Sequence, residues 1–199
     1  MKIGIFGGAF NPPHKMHKEI AVELLRKNFI DKVIYVPVAD NYNKPNILKG
    51  TDRIKMLELM FEDHAENIEV SSFEVDGSLY TIHTLNHFHE LYPNDEIYFI
   101  CGTDNLNDLD QWNHYEEILT NFKLLVVSRN HFDFESIMKR YEKYREHIIL
   151  APIEARKISS TSIRNKIVKN GFTEELRDDL DENVIDYLKK IDYMKYWSE

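Results

Sequence analysis

Ile97-Tyr98-Phe99-Ile100-Cys101 and Leu124-Leu125-Val126-Val127 are apolar at every successive position. A strand with one wet face alternates, so these runs suit central strands covered on both sides, as in a parallel sheet. They belong to β-rich stretches at 96–101 and 123–128, and four more occur at 2–6, 32–37, 68–73 and 147–151. Helical patterns lie between them at 17–27, 51–64, 81–91, 115–120, 134–144 and 160–169. Such alternation demands right-handed crossovers. It predicts an α/β fold, a Rossmann-like doubly wound and mainly parallel sheet whose ligands bind outside the carboxyl ends of the strands. Residues 173–199 carry two short helical patterns, at 174–177 and 182–190, and no strand. They predict a small helical C-terminal cap on a single domain spanning 1–199.

Charge narrows the partners. With 25 Lys and Arg against 34 Asp and Glu, the formal charge of -9 disfavours nucleic acid and anionic membrane surfaces. The lone cysteine, Cys101, lies in an apolar run and has no intramolecular partner, which fits a reducing compartment. Met1 to Phe6 reaches Gly7-Gly8 too soon for the apolar region of a signal peptide, and no stretch is long enough to span a bilayer. A cytoplasmic protein is expected. Homo-oligomerisation is compatible with the sequence but nothing in it specifies one.

The first β-run leads into Gly7-Gly8-Ala9-Phe10-Asn11-Pro12-Pro13-His14-Lys15-Met16-His17 and then a helical pattern. Two glycines permit a sharp turn and close approach of a ligand, and a helix opening after Pro12-Pro13 offers N–H groups to an anion. The stretch is neither a G-x-x-x-x-G-K-[ST] loop nor a G-x-G-x-x-G fingerprint. Two histidines stand where those motifs place other groups. His14 and His17, three apart at a helix start, reach the same region and can donate hydrogen bonds to charge growing on phosphorus. Taken singly, each residue also fits a plain role: a tight glycine turn, a capping or packed His17, a solvated His14.

A second anion-type pattern is Ile158-Ser159-Ser160-Thr161-Ser162-Ile163-Arg164, at the start of the last long helical pattern. One hydroxyl suffices for a cap, whereas several with exposed N–H groups beside an arginine make an anion pocket; a capped helix with an outward arginine is the alternative. Gly102-Thr103-Asp104 follows an apolar strand, where Gly102 allows close approach and Asp104 accepts hydrogen bonds; an ordinary turn is the alternative. His83, His87 and His89 lack an added carboxylate or cysteine ligand, so no protein metal site is expected there.

Together, His-x-x-His after a Gly-rich first strand and Ile-Ser-Ser-Thr-Ser-Ile-Arg near the C-terminus resemble the nucleotidyltransferase superfamily marked by (H/T)-x-G-H. Gly-Gly-Ala-Phe-Asn-Pro-Pro-His, Ser78-Leu79-Tyr80-Thr81-Ile82-His83-Thr84-Leu85, Gly102-Thr103-Asp104 and Trp112 look like bacterial nicotinate mononucleotide adenylyltransferases. The resemblance implies in-line attack of the acceptor phosphate on the α-phosphorus of ATP, pyrophosphate leaving, and Mg2+ as cofactor bridging the phosphates. It assigns His14, His17 and Arg164 to catalysis. ATP would be held by Gly7, Gly8, Ala9, Phe10, Gly102, Asp104, Ser159, Ser160 and Thr161, and nicotinate mononucleotide by Asn11, Lys44, Tyr80, Thr81 and Trp112. Lys44 and Arg53 are basic candidates for phosphate contact, and each also fits a solvated surface charge. Three departures stand out: Met16 replaces the motif glycine, Asn113 replaces an aromatic residue after Trp112, and the 40–50 loop lacks a Pro-Pro-His-Lys run. The alternatives are the same chemistry on nicotinamide mononucleotide or another phosphorylated acceptor, and a noncatalytic nucleotide binder.

Overall fold

The computed structural model describes residues 1–41, 46–62, 66–77, 80–128, 133–153, 156 and 158–198. Six strands form one sheet: β1 (Lys2–Gly8), β2 (Lys32–Pro37), β3 (Ile68–Val70), β4 (Glu96–Gly102), β5 (Lys123–Val127) and β6 (Ile148–Ala151), in the order β3-β2-β1-β4-β5-β6. Strand β4 runs parallel to β1, with Ile3 opposite Ile97 and Ile5 opposite Phe99, and β5 continues in parallel with Leu125 opposite Ile100. Strand β6 follows, Leu124 facing Ile148. The order grows one way from β1 through β3 and the other way from β4 through β6. With right-handed crossovers that reversal sends helices to both faces and leaves a crevice where β1 and β4 adjoin. The doubly wound sheet expected from the apolar runs is the sheet found, and Ile3, Ile5, Val33, Ile34, Leu124, Leu125 and Val126 are fully buried in it.

The chain separates into two compact units by contact. Met1–Gly7, Ile20–Ile34 and Tyr80–Arg156 form the first. It carries most of β1, all of β4 to β6, and most of helix α1 (Lys15–Arg26). It also holds α3 (Thr81–Leu91), α4 (Thr103–Asn107), α5 (Tyr115–Asn121) and α6 (Phe134–Met138). Gly8–Glu19, Tyr35–Leu79 and Lys157–Glu199 form the second. It holds the start of α1, the end of β2, α2 (Gly50–Met60), β3, α7 (Ser160–Asn170), α8 (Leu176–Asp179), α9 (Glu182–Leu188) and α10 (Met194–Trp197).

Two elements differ from their sequence expectation. The strand at 68–73 stops at Val70, and a locally bonded turn follows. Ser71 Oγ accepts the Phe73 N–H at 3.2 Å, Ser72 Oγ donates to Asp76 Oδ2 at 2.8 Å, and the Asp76 N–H bonds Ser72. Such local bonds compete with a ladder. The helix at 134–144 breaks after Met138 into a tighter 3-10 segment in which Tyr141 and Tyr144 leave helical φ/ψ. Tertiary bonds draw it there: Tyr141, buried, accepts the Asp110 N–H through its hydroxyl at 3.1 Å, and Arg140 donates to the Asn107 carbonyl at 2.7 Å.

The helical C-terminal region is present, with α9 starting at Glu182 as its pattern does and α8 two residues beyond the pattern at 174–177. Helix α9 packs on α2, and Tyr187 donates to Asp52 Oδ1 at 2.9 Å; burial, then that carboxylate, pushes its phenol up to about 12. Helix α10, a single turn, went unread because four residues carry no period. Its Trp197 is buried against Tyr193, the ring centroids 5.4 Å apart.

Candidate active site

Helix α1 opens with a reciprocal bond between the two histidines. The His14 N–H donates to His17 Nδ1 at 3.1 Å, and the His17 N–H donates to the His14 carbonyl at 2.8 Å. This is one half of a capping box, in which the side chain three residues into the helix reaches back to the preceding N–H, with imidazole in place of the usual Glu or Gln and the return bond made to the His14 carbonyl. The spacing of three is therefore a structural requirement as well as a chemical one. An accepting Nδ1 places the proton of the neutral ring on Nε2, so His17 presents an Nε2–H donor. The rings stack with centroids 3.7 Å apart; His14 is buried and His17 half-buried.

Behind His17 lies Phe10, buried and held at φ 47, a left-handed conformation that costs a non-glycine residue about 1–2 kcal/mol. Its ring meets His17 edge-on at 5.0 Å and Tyr35 at 5.4 Å. Gly8 has no side chain because Phe10 lies over it: a Cβ there would stand 3.0 Å from the ring. Gly7 and Gly8 are strand residues without positive φ, so the expected glycine turn is made instead at Phe10 and the cis Asn11-Pro12 bond. Tyr35, which the sequence did not single out, donates its hydroxyl to the His17 carbonyl at 2.8 Å, and burial holds that phenol well above its usual range. Its signal was a polar tip inside the otherwise apolar Val33–Val36 run.

The second helix start joins the same loop. Ser160 Oγ donates to the Pro12 carbonyl at 2.9 Å and Arg164 Nη1 to the Asn11 carbonyl at 2.8 Å. Ser159 caps α7 by accepting the Ser162 N–H at 3.1 Å, and Arg164 Nη2 donates to Thr161 Oγ1 at 3.2 Å. The three hydroxyls thus have separate tasks: one cap, one tie to the loop, one rest for the guanidinium. The N–H groups of Ser160 and Thr161 open α7 without a carbonyl inside the helix to bond, as first-turn groups do. Burial pulls the Arg164 guanidinium below its ordinary value, but an arginine there stays charged. Two helix N-termini and a cation are stitched to residues 11–14, an arrangement suited to a polyphosphate.

Asn11 is committed to the fold: its Oδ1 accepts the Leu48 N–H at 3.1 Å and its Nδ2 donates to the Asn46 carbonyl at 2.7 Å. Arg53, a phosphate candidate from sequence, is fully buried and bonds backbone carbonyls and Asp40 instead. Lys44, with its neighbours Asn43 and Pro45, and Ser78 and Leu79 lie outside the described residues.

Met16, the departure from the motif glycine, is 2% exposed, so its side chain is part of the packing. Met16→Gly should lose about 2–5 kcal/mol of stability from the vacated volume. Below its melting temperature the variant should keep turnover within about threefold. A gain above tenfold in thermal-scan-matched assays would instead mean that the thioether obstructs the nucleotide.

The first unit gathers the remaining candidates. Gly7, near the end of β1, and Gly102, ending β4, lie on adjacent parallel strands, and a Cβ on Gly7 would stand 3.4 Å from the Phe99 ring. Phe99 in turn meets Trp112 edge-on, centroids 5.7 Å apart, leaving Trp112 half-buried. Thr103 is buried and Asp104 exposed at the start of α4, while Tyr80 is 46% exposed directly before Thr81 opens α3. Among the described residues no three His, Cys, Asp or Glu side chains come together as a metal cage, and no helix is long and apolar enough to cross a membrane.

Residues 5–166 match the cytidylyltransferase-like family model. A Clostridium tetani protein named "Probable nicotinate-nucleotide adenylyltransferase" is 34% identical over 197 residues, covering 95% of this chain and 96% of its own. A Clostridium novyi protein of the same name is 38% identical over 174 residues, covering 83% and 86%. Among solved structures, Plasmodium falciparum nicotinic acid mononucleotide adenylyltransferase complexed with NaAD superposes with a TM-score of 0.82 over 100% of this chain and 99% of that one, at 22% identity. The fold, the double helix-start site and near full-length similarity agree: this chain belongs to the nicotinate-nucleotide adenylyltransferases of the cytidylyltransferase-like family.

Proposed function

We infer that the chain transfers the AMP of ATP to nicotinate mononucleotide, giving nicotinic acid adenine dinucleotide and pyrophosphate in NAD biosynthesis, as a single cytoplasmic nucleotidyltransferase domain. The observation that carries the chemistry is the loop at 11–14, to which both the α1 start with its histidine pair and the α7 start with Arg164 are bonded. Such a site supplies preorganised donors to charge developing on a phosphoryl group, which is the main contribution an enzyme makes to in-line transfer. His17 Nε2–H would donate to the α-phosphate oxygens, and Arg164 with the Ser160 and Thr161 N–H groups would hold the leaving pyrophosphate. His14 would hold His17 in place.

Mg2+ is proposed to arrive with ATP. It retains several waters and is generally held through substrate phosphates with few protein carboxylates, which suits a site built from N–H donors and a guanidinium. When bound it neutralises phosphate charge.

Acceptor binding is proposed for the first unit, with the Trp112 face against the pyridine ring and Tyr80 and Thr81 toward its carboxylate. Trp112→Ala should raise the acceptor KM about tenfold, the ~1.4 kcal/mol of a lost aromatic face, with the ATP KM unchanged. An unaltered acceptor KM would leave Trp112 only its packing against Phe99.

The test of the whole reading is pyrophosphate release with ATP and Mg2+, comparing nicotinate mononucleotide, nicotinamide mononucleotide and phosphopantetheine. Release selective for nicotinate mononucleotide is expected. Equal turnover of the two pyridine nucleotides would sink the nicotinate assignment, and ATP binding without release for any acceptor would make the chain a nucleotide binder.

A further inference from the structure

We propose that Arg53 is a positioning residue that latches residues 38–40 and 46–50 to residues 9–11. The consequence for transfer rests on the adenylyltransferase reading; the latch itself does not. Arg53 lies on the core stripe of α2, whose buried residues are Gly50, Arg53, Met56, Leu57 and Met60. Spacings of three and four mark that face as apolar, so a fully buried guanidinium there is out of pattern. A charge in such a place persists only with good partners.

The partners come from three separate backbone segments. Nε donates to the Leu48 carbonyl at 2.8 Å, Nη1 to the Ala9 carbonyl at 3.1 Å, and Nη2 to the Val38 carbonyl at 2.7 Å and Asp40 Oδ1 at 2.8 Å. Ala9 follows β1, Val38 follows β2, and Leu48 precedes α2. Asp40 Oδ1 also takes the Gly50 N–H at 2.6 Å, and Gly50 has no room for a side chain, since a Cβ would meet Val75 Cγ1 at 2.3 Å. From the other side Asn11 takes the Leu48 N–H and donates to Asn46. The described ends of the 38–50 loop are therefore gripped twice, by Arg53 and by Asn11, and both grips bear on residues 9–11.

The form of the side chain matters. Three carbonyls and a carboxylate in different directions match a planar fork, and an ammonium offers one point where the fork offers several. If Arg53 served the core alone, deleting it would weaken the whole fold, because removing one partner of a buried charge arrangement is destabilising wherever its acceptors lie. If it is a latch, methionine keeps the stripe filled and releases the loops.

Arg53→Met and Arg53→Lys test this in the full chain. Amide hydrogen exchange should rise about tenfold in peptides covering 9–14 and 38–50 in both variants and stay unchanged in peptides covering β4 and β5. With ATP and nicotinate mononucleotide, kcat/KM for the acceptor should fall about 10²-fold, the scale expected for a displaced reacting group. Lysine should not rescue. Wild-type exchange in the two loop peptides, or loosened loops with wild-type acceptor kcat/KM, would overturn the proposal. Should Arg53→Met fail to fold, Arg53→Lys decides by the same measures. If wild-type protein turns over no nicotinate mononucleotide, the functional reading fails, and the exchange comparison still decides whether Arg53 joins the two loops.

Discussion

Replacing His17 with alanine should cut turnover about 10²–10³-fold while the protein remains folded, the usual loss when one preorganised donor to a transition-state oxyanion is removed. The imidazole has two jobs at opposite edges. Nδ1 closes the helix cap by accepting the His14 N–H, which puts the proton of the neutral ring on Nε2. Alanine removes both, so it should also cost about 0.5–2 kcal/mol of stability, as loss of a cap does. Glutamine separates the two. It is a natural residue for reaching back in a capping box, so His17→Gln should retain most of the melting temperature, while its amide NH2, offset from the ring Nε2 and uncharged throughout, should donate poorly to the phosphate. Steady-state kinetics and thermal unfolding of the two variants make the comparison. Near wild-type turnover in His17→Gln would reduce the histidine to a cap and remove it from the chemistry.

Arg164→Ala should be nearly as damaging, lowering kcat/KM for ATP about 10²-fold, since hydrogen bonds from an ionised donor to phosphate are roughly twice as strong as neutral ones. The guanidinium is placed by Asn11 and Thr161, which use one N–H on each of its two terminal nitrogens. Arg164→Lys keeps the charge but not the fork, and should recover only about tenfold of the loss. Because Nη1 also ties α7 to the Asn11 carbonyl, the alanine variant should lose about 1–2 kcal/mol of stability as well. The rate measurement is therefore made well below both melting temperatures. Equal kcat/KM for wild type and Arg164→Ala there would confine Arg164 to holding the loop.

Much of this site was legible before any coordinates. A spacing of three between His14 and His17, a glycine pair at the end of a β-run, and hydroxyls ahead of Arg164 are local patterns, and the physics behind them operates over one helical turn. The details that needed coordinates are of another kind. The Asn11 amide bonds Leu48 and Asn46. The Phe10 ring is buried against His17 and Tyr35.

By itself the sequence determined the β/α order, the two-sided burial of the central strands and the positions of both helix starts. Each depends on neighbours a few residues apart: strand burial repeats every residue or every second one, and caps act within three. Only the tertiary structure decided that both helix starts bond one loop, that Tyr35 holds the His17 carbonyl, and that Arg53 is a buried latch. Ser160 meets Pro12 across 148 residues, Arg164 meets Asn11 across 153, and Arg53 reaches Ala9 across 44. Local pattern cannot select among acceptors so distant. Folding the sheet brings those carbonyls within reach, and the cost of leaving a buried donor unsatisfied then selects which of them each side chain takes.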